Sequence, residues 1–432
     1  MKTKFDTNIT YFKTYEEREE AFRESVFELI PRKYSGPWLF WQDFARISHG
    51  TALNDSDGPI AYITANPRDC LVYGTAGQAL AAAQMCARDT GHSDLQGADS
   101  VARQFALEDN LHQPVRTLSG GETVKVALAK AFIAADYCDR LTVASPFTWL
   151  SESNRTYLTE LAEHYRQADL PMTLLALAGE DSTEAVPPVE CPVELQNDKI
   201  DFKIHFKDLK ILLATSINPL YQANQYAVVE DFSGRLNSPC LLLGENGHGK
   251  SLIAKALAGA VGSQGDCGIF GREESGPVRI LLQDVVGQTL LRSFDAIRST
   301  AGPSQSEQFQ QIYQEIAAPA DFADSSDRGE SFPSLLEMKT ALVAVRLCGR
   351  PAALILDEPD WGLSRPVAIT FVFNVIKAAH RRGIPIVLIS HKPWWLNAAG
   401  GILKVQRSTD RDKGPDASAF RIRLKEGSRN IP

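Results

Sequence analysis

The sequence predicts an α/β protein whose sheets are mostly parallel, and three observations carry this prediction. Short apolar strands alternate with helical segments, a glycine-rich loop joins a strand to a helix at 240–261, and the two halves of the chain follow similar patterns. Neighbouring parallel strands need a long crossover connection, usually a helix, so this alternation favours a parallel sheet.

The second half contains the clearest elements. CLLLGENGHGKSLIAKALAGAV (240–261) predicts a strand, a loop and a helix, and VRILLQD (278–284) predicts a strand that ends in a polar loop. MKTALVAVRL (338–347) predicts a helix. AALILDEP (352–359) and PIVLISH (385–391) are apolar almost throughout, which is typical of strands buried on both faces.

The first half shows the same succession in a weaker form. Its segments are a charged helix at 14–30, a strand and loop at 60–75, helical sequence at 76–112, LSGGE at 118–122 opening an Ala-rich helix, and buried strands at 140–146 and 172–179. ASPFTWLS (144–151) aligns without gaps on DEPDWGLS (357–364), which indicates a diverged internal repeat. The polar, proline-containing stretch at 180–198 then predicts two domains, 1–190 and 199–432.

Composition narrows the classes of function. The net charge is −8 and no long Lys/Arg run occurs, so no nucleic-acid partner is expected. The seven cysteines form no CxxC pair, which favours reduced thiols in a cytoplasmic protein. The N-terminus is too polar for a signal peptide, and no apolar run reaches about 18 residues, the length of a membrane span. A role at a membrane would therefore be that of a peripheral subunit at its inner face.

One segment matches the phosphate-binding pattern G-x-x-x-x-G-K-[ST]. The predicted nucleotide-binding residues of this loop are Gly244, Glu245, Asn246, Gly247, His248, Gly249, Lys250 and Ser251. Glycines let backbone amides converge on phosphate oxygens, and the following helix presents its positive N-terminus to the same charge. Lys250 can reach the outer phosphates and Ser251 can ligate Mg²⁺.

Polar side chains at three strand ends complete the predicted catalytic set. Asp357 can hold the metal, and Glu358 is placed to polarise the attacking water. Gln283 can touch both Mg²⁺ and this water, with an ordinary polar loop residue as the alternative. His391 lies where a sensor of the γ-phosphate would sit, with a structural histidine as the alternative.

These elements, in this order, resemble the nucleotide-binding domain of ATP-binding cassette (ABC) ATPases, and LSGGE at 118–122 is the most diagnostic of them. The resemblance implies two tandem P-loop NTPase domains of the ABC type, each with a helical insertion. In the family, the signature of one cassette caps the γ-phosphate held by the other, which assigns Ser119, Gly120 and Gly121 to nucleotide binding. The family also stacks adenine on an upstream aromatic residue. Tyr221 is the nearest match, Tyr226 is an alternative, and a plain core or loop tyrosine is the other interpretation.

The two halves have lost complementary parts. The first half has no phosphate loop and carries Ala144 and Ser145 in place of the carboxylate pair, but it keeps LSGGE. The second half has the loop, Asp357 and Glu358, but its own signature has decayed to sequence near 332–336. These losses predict an ATP hydrolase with one composite site, formed by the second-half loop and the first-half signature, with ATP and Mg²⁺ as ligands.

The partner is left open between two classes. NPRDCLVYGT at 66–75 resembles a loop of cobalt and energy-coupling-factor importer ATPases, which implies integral-membrane permease subunits as partners. The alternative is a soluble mechanochemical ATPase that remodels or matures another protein. Two-cassette translation factors fit less well, because they keep both sites and carry a basic linker, and the intact Glu358 argues against a catalytically silent regulator.

Overall fold

A computed structural model gives the fold of most of the chain. It describes residues 8–26, 60–64, 71, 74–89, 97–115, 118, 120–145, 155–177, 200–212, 226–244, 247–271, 276–283, 285, 294–317, 334–390, 395–396, 398–408 and 420–427. The chain divides into two compact units, 1–184 and 185–432. The predicted linker at 180–198 lies outside the described residues, so the domain boundary stays a prediction. Among the described helices, none is long and apolar enough to cross a bilayer.

The first unit contains a four-stranded parallel sheet. Its strands are β1 (Asn8–Phe12), β2 (Ile60–Ile63), β3 (Arg140–Ala144) and β4 (Met172–Leu177). Its helices are α1 (Tyr15–Val26), α2 (Ala76–Asp89), α3 (Ala98–Gln104), α4 (Gly120–Ala134) and α5 (Arg155–Gln167), with a short 3-10 turn at Glu108–Asn110. The strand order is β1-β4-β3-β2, and every described pairing is parallel. Both β3 and β4 are buried almost throughout, which explains their apolar sequences.

The second unit contains a ten-stranded mixed sheet. Its strands are β5 (Asp201–Leu212), β6 (Tyr226–Val229), β7 (Phe232–Asn237), β8 (Cys240–Leu243), β9 (Ser263–Phe270), β10 (Val278–Leu281), β11 (Ala353–Asp357), β12 (Ile386–Ile389), β13 (Gly401–Ser408) and β14 (Phe420–Glu426). Its helices are α6 (Lys250–Leu257), α7 (Phe294–Ser299), α8 (Ser306–Ala317), α9 (Leu335–Leu347) and α10 (Arg365–His380), with a 3-10 turn at Pro303–Gln305. The order is β10-β11-β12-β8-β13-β14-β6-β5-β7, and β9 pairs with β5.

The parallel part of this sheet positions the candidate site. Strands β10, β11, β12, β8 and β13 run parallel to one another, so their carboxyl ends meet at one edge. Every residue of β11 and β12 is buried, because helices cover a parallel sheet on both faces. In open parallel sheets, ligands bind outside the carboxyl ends of the strands.

The two units share one topology. Taken in chain order, β1 to β4 of the first unit have the same spatial order as β8, β10, β11 and β12 of the second: first, fourth, third, second. In both, helices α4 and α9 precede the third strand, and α5 and α10 follow it. The connections after the first strand differ. Residues 244–249 separate β8 from α6, whereas only Lys13 and Thr14 separate β1 from α1.

Candidate nucleotide site

The phosphate loop lies between β8 and α6. Gly247 and Gly249 have φ angles of 82° and 93°, a left-handed conformation that glycine adopts readily. Gly249 is also the N-cap of α6, so no side chain caps the first amides of that helix. Such a helix start can bind an anion, because its amides and its dipole both face the incoming charge.

Gly244 begins the loop at a close backbone approach. A Cβ atom added to Gly244 would lie 2.5 Å from the carbonyl oxygen of Val405 on β13. His248 contacts the same carbonyl through Nδ1 at 3.3 Å. The neighbouring strand therefore leaves room only for glycine at this position. Glu245 and Asn246 lie outside the described residues.

Lys250 and Ser251 project from the first turn of α6. Lys250 is buried, and its Nζ donates to the Gly244 carbonyl at 2.6 Å, which keeps the amino group inside the curve of the loop. Ser251 donates from Oγ to Oδ1 of Asp357 at 3.0 Å. The loop and the end of β11 thus meet directly, although β12 lies between β8 and β11 in the sheet.

This pair of oxygen atoms fits Mg²⁺. Magnesium takes hard oxygen ligands and is usually held by one or two carboxylates together with the phosphates of its nucleotide. Ser251 and Asp357 supply a hydroxyl and a carboxylate side by side. No cluster of three or more His, Cys, Asp or Glu residues that could hold a metal occurs in the described part of the chain.

Asp357 is a buried carboxyl, only 2 % exposed, whose pKa is raised from 3.8 to about 6. Burial is the largest cause of this rise and repulsion from Glu358 adds to it, while the hydrogen bond from Ser251 and the charges of Lys255 and Lys250 act in the opposite direction. A bound cation would stabilise the carboxylate in the same way as the lysines do.

Glu358 has an unusual backbone conformation. Its φ angle is +47°, which is uncommon for a residue with a side chain. Its amide donates to the carbonyl of Ile389 on β12 at 2.9 Å, and its carbonyl accepts from the amide of Trp361 at 3.0 Å. Glu358 is also buried, so a turn at the strand end places this carboxylate next to Asp357 and away from bulk water.

The other predicted site residues are less completely described. Gln283 is half-buried and follows β10, whose Leu281 pairs with Leu356, so it lies at the same edge of the sheet as Asp357. His391, Tyr221 and Ser119 lie outside the described residues, and their roles stay predictions. The strand before His391 ends beside Asp357, because Ile389 pairs with that residue.

The first-unit signature opens helix α4, which begins at Gly120. Leu118 is buried and anchors the chain just before the helix, and Gly121 is also buried. Glu122 accepts from Nδ2 of Asn110 at 3.1 Å, which ties the first turn of α4 to the 3-10 turn. The orientation of this helix start is therefore set within its own unit.

Helix α9 of the second unit corresponds to α4, and a capping box lies at its N-terminus. Ser334 is the N-cap of α9 and accepts from the amide of Glu337 at 3.2 Å, while Oε2 of Glu337 accepts from the amide of Ser334 at 2.7 Å. This reciprocal capping box uses amides that a glycine pair would present to an anion. Helix α9 thus begins with Leu335 and Leu336, whereas α4 begins with Gly120 and Gly121.

The comparisons with known proteins agree with this geometry. A 314-residue match, 67 % of this chain, is 26 % identical to an uncharacterized ABC transporter ATP-binding protein of Mycobacterium tuberculosis, in strains CDC 1551 and H37Rv. A solved structure described as ribosome-bound archaeal Pelota and ABCE1 covers 97 % of this chain, with a TM-score of 0.57 and 13 % identity. No protein-family profile matches the sequence. The fold is therefore that of two P-loop NTPase domains of the ABC type in tandem.

The match spans 44 % of the mycobacterial relatives, so this chain corresponds to less than half of their length. At 13 % identity, the likeness to the archaeal structure shows the fold alone, over 74 % of that chain.

The two cassettes make different side-chain contacts at the end of the third strand of each parallel set. Arg18 on α1 is fully buried and donates from a guanidinium nitrogen to Oγ of Ser145, just beyond the end of β3. In the second cassette, the helix in the same place makes the contact from Ser251 to Asp357. The first cassette thus has an arginine–serine contact where the second has the contact between the Ser251 hydroxyl and the Asp357 carboxylate. Sequence reasoning missed Arg18, because it lies within a charged helical segment that is typical of a solvated surface.

Proposed function

We propose that this protein hydrolyses Mg²⁺-ATP at one site per chain, held by the second cassette. The observation that carries the proposal is the contact of Ser251 with Asp357 at 3.0 Å, which joins the phosphate loop to the carboxylate pair. The described part of the first cassette offers no counterpart, since only Lys13 and Thr14 connect β1 to α1 and Arg18 contacts Ser145 just beyond the end of β3.

Each described residue has a distinct task in this proposal. The amides after Gly249 and the amino group of Lys250 bind and orient the phosphates. Mg²⁺, held by Ser251 and Asp357, would neutralise charge on the outer phosphates. Glu358 orients the attacking water and accepts its proton, and the buried site limits competing water. Gln283 and His391 are proposed to contact the metal-bound water and the γ-phosphate.

We further propose that the LSGGE segment completes this site. Ser119, Gly120 and Gly121 would bring the start of α4 to the γ-phosphate, as the signature of one cassette does for the other in this family. The support is the contrast between the two helix starts. Helix α4 begins with Gly120 and Gly121, whereas α9 begins with the large side chains of Leu335 and Leu336.

Turnover and stoichiometry test the proposal together. Glu358→Gln should still bind ATP but lose most turnover, because the charge that orients the water is lost while the phosphate loop remains. Lys250→Ala should lose ATP binding, and the exposed Glu307→Gln is the control. Calorimetry on Glu358→Gln with Mg²⁺-ATP should give about one site per chain. Two equivalent sites, or wild-type turnover in Glu358→Gln, would contradict the proposal.

For the partner, we propose a membrane importer that this protein energises as a peripheral ATPase subunit. Two observations support this: the importer-like segment at 66–75, of which the structure describes residues 71, 74 and 75, and the description of the curated relatives as ABC transporter ATP-binding proteins. The second candidate is a soluble mechanochemical ATPase acting on a macromolecular client, and the fold shared with the ribosome-bound archaeal protein favours it.

Crosslinking in cells separates the two candidates. Glu358→Gln traps the ATP-bound form, which should hold the partner longest. An importer subunit would be crosslinked to integral-membrane proteins, and changes within 66–75 would abolish the crosslinks. Recovery with soluble proteins or ribosomes, unaffected by changes at 66–75, would favour the second candidate.

A further inference from the structure

Lys339 is a fully buried lysine on helix α9 that sequence reasoning did not single out. It is 0 % exposed, and its Nζ donates to the carbonyl oxygens of Pro359 at 2.7 Å and of Trp361 at 2.6 Å. The same nitrogen lies 5.8 Å from the centroid of the Trp361 ring. One side chain thus holds both ends of the three-residue segment that follows Glu358.

The contact from Lys339 lies next to Glu358, whose backbone conformation must be held in place by its surroundings. Glu358 has a φ of +47°, and such conformations persist only where the surroundings hold them in place. The amide of Glu358 is held by Ile389, and its carbonyl accepts from Trp361. Lys339 adds a constraint on the far side of the turn, because one nitrogen can bond both carbonyls only while they converge.

Because the Lys339 contact is buried, its loss would cost free energy. A buried amino group costs free energy unless it is hydrogen-bonded, and buried carbonyls that lose their donor pay a desolvation penalty. An apolar residue would suit the core face of α9 as well as Lys339 does, since its neighbours Ala341, Leu342 and Val343 are buried. Helix packing alone therefore gives no reason for a lysine at this position, whereas the two carbonyls do.

We propose that Lys339 is a positioning residue for Glu358. Its amino group clamps the turn at 359–361, and the clamp keeps the Glu358 carboxylate aligned on the attacking water without touching ATP. The proposal rests on the proposed hydrolysis at the second cassette. Because the phosphate loop lies on another element, loss of the clamp should lower kcat and leave nucleotide affinity almost unchanged.

Lys339→Met tests this proposal, because it keeps the length of the side chain and removes its donors. We expect kcat to fall at least tenfold, while the dissociation constant of a non-hydrolysable ATP analogue changes less than twofold. Amide hydrogen exchange at 358–363, measured without ATP, should accelerate at least tenfold, because Trp361 and Leu363 donate within this turn. Lys339→Gln retains an amide donor and should lie between wild type and Lys339→Met.

Thr340→Val is the matched control. Thr340 is also fully buried on α9, but its hydroxyl donates to Leu336 of the same helix and not to the turn. Thr340→Val should leave both kcat and the amide exchange of the turn near wild type.

Three results would each overturn the positioning role: unchanged kcat in the Lys339 variants, a parallel loss of ATP affinity, or unchanged amide exchange in the turn. So would failure of both lysine variants to fold while Thr340→Val folds, since Lys339 would then be structural. Absence of wild-type turnover would refute the proposed hydrolysis itself, and the exchange measurement would still report whether the clamp exists.

Discussion

Ser145 and Glu358 occupy the same backbone conformation at the same place in two different sheets. Their φ angles are +49° and +47°, and each follows the third strand of its parallel set. The amide of Ser145 donates to Leu175 on β4 at 2.8 Å, and that of Glu358 donates to Ile389 on β12 at 2.9 Å. The first cassette thus has a serine in the conformation and hydrogen bond that Glu358 has in the second.

A first prediction concerns the closed cassette. Arg18→Ala should destabilise the first unit by about 2–4 kcal/mol, because it removes a fully buried side chain and the donor to Ser145. Chemical denaturation with hydrogen exchange resolved over residues 1–184 measures this loss. Arg166→Ala, whose side chain is 61 % exposed, is the control. ATP affinity should stay unchanged, and a parallel drop would place Arg18 in a nucleotide site.

A second prediction concerns how the free energy of unfolding of the nucleotide-free protein depends on pH. The pKa of Asp357 is raised to about 6 from 3.8, so between these values the folded protein holds a proton that the unfolded chain has released. This carboxyl therefore lowers the free energy of unfolding as pH rises, by on the order of 3 kcal/mol above about pH 6.

Asp357→Asn removes this pH dependence and keeps an acceptor for Ser251. Above pH 6 it should be more stable than the wild type, and below pH 4 the two should be alike. Denaturation without nucleotide across this range measures the difference, with the exposed Asp99→Asn as control. A variant that is less stable than the wild type at pH 7 would contradict the raised pKa.

A third prediction compares substitutions at the N-termini of helices α4 and α9. Gly121→Asp would put a carboxylate where backbone amides are proposed to meet the γ-phosphate, a repulsion of about 4 kcal/mol at an effective dielectric constant near 20. Turnover should fall about a hundredfold or more, because each 1.4 kcal/mol is tenfold.

Ser334→Asp is the comparison change in the second cassette, at the N-cap of α9. Aspartate is also a good N-cap, so α9 should stay capped and turnover should stay near wild type. Equal damage from both variants would refute the single composite site. Light scattering must accompany the assay, because a homodimer that pairs loops and signatures between chains would give the same result.

A fourth prediction tests the close approach at the phosphate loop. Gly244→Ala would bring a methyl group to 2.5 Å from the Val405 carbonyl, so the loop must shift. We expect ATP affinity to fall at least tenfold. Gly271→Ala is the control, because its added Cβ would meet no atom within 4 Å. Wild-type affinity in Gly244→Ala would show that the loop tolerates displacement from β13.

Sequence patterns could predict the second-cassette site because each part carries a local signal. The loop at 244–251 has a motif with a strand before it and a helix after it, and Asp357 and Glu358 end an apolar strand. The contacts of Arg18 and Lys339 have no such signal. Each cation binds a hydroxyl or a backbone carbonyl far away in sequence, and a charged residue in a helix usually indicates a solvated face.

Strand β1 escaped prediction for a related reason. NITYF is short, partly polar and close to the N-terminus, and its pairing with β4 joins residues far apart in the chain. Without β1, the first half could be described only as lacking a phosphate loop. With it, the position where that loop would lie is known, and the chain there is only Lys13 and Thr14.

Because the connection between β1 and α1 is so short, a nucleotide site could not easily be restored in the first cassette. Changing Ala144 and Ser145 back to carboxylates would leave Arg18 to neutralise them and no backbone to surround a phosphate. Regaining a second nucleotide site would need an insertion after β1 as well as several substitutions, and no one of these steps alone would confer binding.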